Sequence, residues 1–348
     1  MPKNIVILSD GTNQDGARGK DTNVFKTFSL IEKDTPNQIA HYQPGVGTDP
    51  FFRVRGNIGG AGFSKDIIEF YTFLVKNYQS GDNIYFFGYS RGAATVRSLS
   101  GFVDLVGLLP SDDEQMIEDA YNIYRVRDEA KRMQRAEKFK REHNPTHVDI
   151  KFLGVWDTVL ALGIPNPVVN WVIDMLPSSR HSFHNLRITP CVENAYHALA
   201  IDERRRPFTP TVWDAEIEGH QTMKQVWFPG AHGNVGGGYD ESGLSDMALE
   251  WMLVMAQQNG LRLMPNHQEK VRIAPNPDDM LHDSSKGFPH NLFRKEERSW
   301  SVATHGTPTV YQGVIDRAYN VENEPNIPYQ PWIMSLNPTV EPWARLAG

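Results

Sequence analysis

The chain is predicted to be an α/β protein built on a mainly parallel sheet with helices on both faces. Three observations carry this. Short apolar, β-prone runs alternate with stretches of helical periodicity, the pattern of a parallel sheet covered on each side. One of them, Ile84–Phe87, runs through Gly88-Tyr89-Ser90-Arg91-Gly92 straight into an apolar helical stripe. Two further runs end at Asp157 and just before His232, both later in the chain than Ser90.

Ile5 to Ser9 reads as the first strand, closed by the turn signal Asp10-Gly11-Thr12-Asn13. Ile39 to Gln43 is the second. A glycine-rich loop (Gly56, Gly59, Gly60, Gly62) then feeds a helix whose apolar residues Ile67, Phe70, Tyr71, Leu74 and Val75 fall on one face. That loop lacks the lysine and Ser/Thr of a phosphate-binding P-loop, and the dinucleotide fingerprint is absent too, so it is expected to rim a site and bind no cofactor. After Ser90, Ala93, Ala94, Val96, Leu99, Phe102, Val103 and Val106 form a helical stripe with the small residues first, where helix and strand must approach closely.

From Ser111 to His143 the sequence is charged and helical, with Met116, Ala120, Ile123 and Tyr124 as its apolar face; 111–146 is expected to be a surface insertion. Val148 to Trp156 returns to the sheet and ends at Asp157. Val159 to Asn185 is apolar but broken by prolines, and 159–190 is read as a lid or acyl-chain groove, with Leu160 and Trp171 lining a pocket. A plain helix packed on the sheet accounts for that segment equally well. Val192 to Leu199 reads as a helix, Gln225 to Phe228 as a strand leading into Pro229-Gly230-Ala231-His232. Ser242 to Gln258 is a helix with Leu244, Met247, Ala248, Trp251, Met252 and Met255 on one side. Beyond Gly260 periodicity fades, and 260–348 is expected to wrap irregularly around a single domain spanning 1–348.

Composition excludes several classes. With 40% hydrophobic residues and 11% aromatics, 348 residues suffice for a substantial core. A net charge of −7 without a basic face argues against general nucleic-acid binding. The Arg204-Arg205-Arg206 cluster stands beside Asp202 and Glu203, as a solvated or internally paired patch would. One cysteine, Cys191, allows no intramolecular disulfide and no cysteine-based zinc site. His181 and His184 make a pair without a third ligand, so no metal is expected. The chain opens without signal-peptide organisation, and no apolar run is long enough to span a bilayer. A cytoplasmic location, or secretion by a signal-independent system, follows as the expectation, with peripheral membrane contact still open and the oligomeric state unread.

Strand, Gly-x-Ser-x-Gly, helix is the sequence form of a nucleophile elbow, in which glycines permit a sharp turn that exposes the serine hydroxyl. A serine needs a base within hydrogen-bond reach, and in α/β-hydrolase-like folds the acid and then the histidine follow it at the ends of later strands. Asp157 and His232 satisfy that order; His232 is set among Gly230, Gly233, Gly236, Gly237 and Gly238, a sign of close backbone approach. Asp202 is the rival acid, unless it pairs with Arg204 or Arg205. Arg91, the residue after the serine, is expected to give one oxyanion N–H, and Gly11 or Thr12 the second. Asp10 lines the pocket, orients the oxyanion loop, or makes an Asx turn.

Four blocks in this order, Asp10-Gly11-Thr12-Asn13, Gly88-Tyr89-Ser90-Arg91-Gly92-Ala93, Gly154-Val155-Trp156-Asp157-Thr158-Val159 and Pro229-Gly230-Ala231-His232-Gly233-Asn234-Val235-Gly236-Gly237-Gly238, together with Ala198–Arg204, resemble an uncharacterised α/β-hydrolase domain family of bacteria and fungi. That family includes the lipase effectors of type VI secretion. The resemblance covers roughly residues 3 to 260. It implies the triad Ser90, Asp157 and His232, and hydrolysis of carboxylic esters, in some members phospholipids. Gly233-Asn234 departs from the Ser-Asp pair of the family's histidine loop, and a chain of this length is not expected to carry the large accessory regions of the secreted effectors. The expected activity is therefore that of a serine esterase or lipase on a small-molecule or lipid ester. The alternatives are a phospholipase effector, amide or lactone hydrolysis on the same fold, and a catalytically silent binding module.

Overall fold

The structure is a computed structural model that describes residues 2–11, 21–45, 60–159, 187–286, 290–319 and 328–346. Among these residues the frame is one eight-stranded sheet in the order β2-β1-β3-β4-β5-β6-β7-β8. The strands are β1 (Asn4–Ser9), β2 (Gln38–Gln43), β3 (Asn83–Tyr89), β4 (Ile150–Trp156), β5 (Asn194–Ala200), β6 (Thr222–Phe228), β7 (Thr309–Tyr311) and β8 (Thr339–Glu341). Every neighbouring pair is parallel. The architecture is the expected α/β one, a parallel sheet with helices on both faces.

The period-two alternation of a strand divides the core in two. Ile5, Ile7, Ile84, Phe86, Leu153, Val155 and Ala195 point to one face. There they meet α2 (Gly60–Asn77), α3 (Arg91–Val106), α4 (Glu114–Tyr124) and α5 (Glu129–His143). Val6, Leu8, Tyr85, Phe87, Phe152, Trp156, Tyr196 and Ala198 point to the other. That face is covered by α1 (Asn23–Leu30) and by a helix at Gly243–Gln258. Both faces are buried under helices, which is why the central strands read as continuous apolar runs.

Three expectations need correction. Val192–Leu199 is not a helix: Asn194–Ala200 is β5, hydrogen-bonded in parallel to β4 and β6. Alanine-rich composition favours a helix in isolation, but a slot between two strands overrides that preference. The segment from 260 onward is not merely a wrap, since Thr309–Tyr311 and Thr339–Glu341 extend the sheet by two strands. A third apolar cluster, with Leu199, Ile201, Trp227, Val310, Val314 and Ile333, lies there. Helix α1 was not anticipated; Thr22 caps it, its hydroxyl accepting from the Phe25 N–H.

In the charged region, α4 and α5 start at Asp113 and Asp128, whose side chains cap them. The buried face of α4 is Ile117, Ala120, Tyr121 and Tyr124, rotated slightly from the expected stripe, with Met116 and Ile123 half-buried beside it.

At the β3–α3 corner, space is limiting. A Cβ on Gly88 would lie 2.6 Å from the Gly92 carbonyl oxygen and 2.7 Å from the Ala93 Cα. One on Gly92 would collide with the Ser9 carbonyl and stand 2.6 Å from that of Asp10. All of these obstacles are backbone, which no rotamer change can clear. Gly92→Ala is therefore expected to cost about 3 kcal/mol or more, by denaturant unfolding. A cost under about 1 kcal/mol would show that β1 and α3 are not held this close.

Candidate active site

The site assembles at the carboxyl ends of the strands, where neighbouring strands lead in opposite directions around β1 and β3. Ser90 follows β3, Asp157 follows β4, and His232 opens the short helix α6 (His232–Gly236) after β6. Parallel strands end at the same edge of the sheet, so residues 142 and 75 positions apart in sequence meet there.

Ser90 has φ 57° and ψ −119°, a conformation that a non-glycine residue adopts only under constraint. Asp157 also has positive φ, at 41°. Both are turned sharply at a strand end. His232 Nε2 lies 2.9 Å from Ser90 Oγ, and its Nδ1 lies 2.6 Å from Asp157 Oδ2. Asp157 is fully buried, while Ser90 and His232 are 7% and 6% exposed. Burial alone would raise the Asp157 carboxyl; the Arg298 guanidinium and the hydrogen bonds from Arg298 and His232 outweigh it and hold the group well below the usual carboxylate range.

Packing fixes the imidazole. The Tyr89 ring lies 4.7 Å from that of His232, and its hydroxyl donates to the His232 carbonyl at 3.2 Å. Phe208 meets the imidazole edge-on at 5.1 Å, with the Arg205 guanidinium 3.6 Å above the Phe208 ring. A Cβ on Gly236 would enter the Tyr89 ring, so glycine there is what lets Tyr89 pack. Asn234 supports the turn, its Oδ1 accepting the Ala231 and His282 N–H groups. Glu203 Oε2 accepts the His232 N–H at 3.3 Å and the Ser284 hydroxyl at 2.7 Å.

Residues 3–255 match the family described as the T6SS phospholipase effector Tle1-like catalytic domain. The chain belongs to this family. Among relatives of this Tle1-like domain, an uncharacterized protein of Saccharomyces cerevisiae is 33% identical over 230 residues, 59% of this chain and 32% of that protein. An uncharacterized protein of Pseudomonas aeruginosa shares the fold with a TM-score of 0.53 at 18% identity, over 80% of this chain and 49% of that one. This chain thus spans about a third and about half of the lengths of these two proteins.

Of the other site residues read from the sequence of this Tle1-like domain, Asp202 stands apart from the histidine. Its Oδ2 accepts the Gly230 N–H and the Tyr329 hydroxyl, both at 2.7 Å, and the charges of Arg317 and Arg204 also act on it. Glu203 is the residue that pairs with Arg205, at 2.8 Å. Arg91 begins α3, in the first turn, where backbone N–H groups have no acceptor within the helix. Gly11 abuts the serine: its Cβ position is 3.5 Å from Ser90 Cβ. Its N–H, however, donates to Asp10 Oδ1 at 2.6 Å, so Gly11 does not aim a donor at the reaction centre as expected. Thr12, Leu160 and Trp171, with most of the 159–190 segment, the histidine pair at 181 and 184 and most of the 56–62 loop, lie outside the described residues.

Asp10 ties the neighbouring loops together. Its Oδ2 accepts the Thr22 and Tyr42 hydroxyls at 2.6 and 2.8 Å, linking β1 to the start of α1 and to β2. Burial pushes this carboxyl up to about 6 from 3.8, only partly offset by those hydrogen bonds. The folded chain therefore retains between about pH 4 and 6 a proton that the unfolded chain releases, and the contribution of Asp10 to stability declines as pH rises through that window. Asp10→Asn abolishes the decline. The variant is expected to gain on the wild type by about 2–3 kcal/mol between pH 4 and pH 7.5, read from melts across pH. Parallel pH curves for the two proteins would refute it.

Arg298 and Glu203 were missed by sequence reasoning. Arg298 offers no motif; Glu203 sits in the charged cluster that was read as a patch, and its burial distinguishes it only in three dimensions.

Proposed function

We infer that this domain is a serine hydrolase that cleaves carboxylic esters through an acyl-serine intermediate. The observation that carries the reading is one unbroken line of hydrogen bonds, Ser90 Oγ to His232 Nε2 at 2.9 Å and His232 Nδ1 to Asp157 Oδ2 at 2.6 Å. In it His232 Nε2 removes the Ser90 proton as Oγ attacks the ester carbonyl, then returns that proton to the departing alcohol. Water, activated by the same nitrogen, releases the acid and restores Ser90. Asp157 keeps the Nδ1 proton in place, leaving Nε2 free to accept, and stabilises the imidazolium that forms. The Arg91 N–H, following the nucleophile at the start of α3, stabilises the oxyanion.

Membership of a family described by phospholipase effectors favours a phospholipid as the ester, with cleavage at one acyl chain. Among the described residues no helix is long and apolar enough to cross a membrane. The test is labelling with a fluorophosphonate probe, followed by turnover of p-nitrophenyl esters of increasing length and of phospholipid vesicles. Labelling at Ser90 with fatty acid released from vesicles is the expected result. A folded protein that takes no label would overturn the hydrolase reading, and labelling with turnover of short esters alone would overturn the phospholipid one.

A further inference from the structure

We propose that Arg298, which lies beyond the family-matched range, is a positioning residue that makes the C-terminal segment part of the active site by clamping both carboxylate oxygens of Asp157. This rests on the Ser90–His232–Asp157 reading above. The guanidinium presents a two-toothed fork: Nη1 donates to Asp157 Oδ1 at 2.6 Å and Nη2 to Oδ2 at 2.8 Å. Oδ2 is the oxygen that also holds His232 Nδ1, so the arginine fixes the atom on which the imidazole depends. Oδ1 takes the Ala200 N–H as well, at 3.0 Å.

The fork is itself anchored. Nη1 reaches the Ala200 carbonyl at 2.5 Å and Nη2 the Phe208 carbonyl at 2.7 Å. The backbone leading to Arg298 is stitched to the chain after β5, Arg206 N–H donating to the Arg294 carbonyl at 3.0 Å and Glu296 N–H to that of Arg204 at 2.8 Å. The side chain is 3% exposed and faces a carboxylate with no exposure at all. A lone carboxylate in such a place would take up a proton, and a protonated Asp157 could not stabilise an imidazolium. The arginine therefore does two separable things: its charge keeps Asp157 ionised, and its fork sets where Oδ2 points.

Several charged or titratable groups face this carboxylate. His232 comes from α6, Arg298 from the C-terminal segment, His197 from β5 and Tyr89 from β3. Glu203 and Arg205 stand behind His232, and Asp10 lies beyond Tyr89. Burial and the positive Arg97 push His197 down to about 3, so it is neutral across the working range. The burial of Tyr89 holds its phenol protonated. Glu203 is held down at about 2 by Arg205, against its own burial. Among the described residues Arg298 is thus the arginine or lysine paired with Asp157, and removing it makes protonation of the carboxylate easier.

The experiment compares Arg298→Gln and Arg298→Lys with the wild type in ester hydrolysis and fluorophosphonate labelling between pH 4 and 9, with melting curves alongside. Arg298→Gln loses charge and fork. Its kcat is expected to fall by about 10–100-fold with KM little changed, and the acid limb of the rate profile to move to higher pH, because losing the neighbouring cation favours protonated forms of the site. Arg298→Lys keeps the charge, so its acid limb should stay in place while kcat falls several-fold. Wild-type kcat and profile in a folded Arg298→Gln would overturn the proposal. If that variant does not fold, wild-type kcat in Arg298→Lys overturns it. These failures would leave Ser90 labelled in the wild type, whereas an unlabelled wild type would remove the triad reading and this proposal with it.

Discussion

Ser90→Ala is expected to lower kcat for ester hydrolysis by about 10⁶-fold, equivalent to about 8 kcal/mol of transition-state stabilisation. The size follows from the geometry. His232 Nε2 is aimed at Ser90 Oγ at 2.9 Å. Without the hydroxyl, the imidazole and Asp157 act on nothing, and only substrate binding and the oxyanion donors remain. The alanine should fold, because position 90 has φ 57° whichever of the two residues occupies it. The serine is 7% exposed, so the loss is one nearly buried hydrogen bond. The measurement is kcat with a p-nitrophenyl ester alongside a melting curve, and labelling by a fluorophosphonate should vanish in the same variant. A folded Ser90→Ala within tenfold of the wild type would end the acyl-serine mechanism.

What made this much legible in the sequence was backbone sterics. Gly88 and Gly92 announce the elbow because any side chain there meets backbone, and that requirement is local. The strand ends at Trp156 and Phe228 were readable for a related reason: strands buried on both faces are apolar throughout, and their polar successors mark the edge of the sheet. β5 was not readable. Asn194, Ala195, His197 and Ala198 carry no β-branched signal, and the strand exists because β4 and β6 leave a slot of the right width. β7 and β8 are three residues each, too short for any period to show.

The same distinction explains the site. Ser90 and His232 sit among glycines that the chain must have to bend, so they advertise themselves. Arg298 meets Asp157 across 141 residues with nothing in its neighbourhood to mark it. Gly11 shows the reverse error: its place beside Ser90 was anticipated, but which acceptor would take its N–H depended on the rotamer of Asp10. Sequence therefore reveals positions fixed by the backbone more readily than positions fixed by a distant partner.

The choice between the two acids is the sharpest test of the arrangement. Asp157→Asn is expected to lower kcat by about 10⁴-fold. An amide in that place turns its Nδ2 hydrogens toward His232 Nδ1, which moves the imidazole proton to Nε2, opposite the Ser90 hydroxyl, and leaves the base unable to accept. Arg298 adds a second consequence. Its guanidinium, 3% exposed, would lose the charge it is paired with, and leaving a buried charge uncompensated costs about 3–5 kcal/mol of stability. Activity must therefore be referred to the folded fraction. Asp202→Asn should behave differently, because Asp202 serves Gly230 N–H and the Tyr329 hydroxyl and reaches the histidine only through the turn before it. An asparagine oxygen can still accept one of those bonds, so a loss of less than about tenfold in kcat is expected. Measuring both variants with the same ester and at the same pH separates the roles. If Asp202→Asn showed the 10⁴-fold loss and Asp157→Asn did not, the carboxylate supporting His232 in turnover would have to be the one at 202, and the hydrogen bond at 2.6 Å to Asp157 would be a resting contact only.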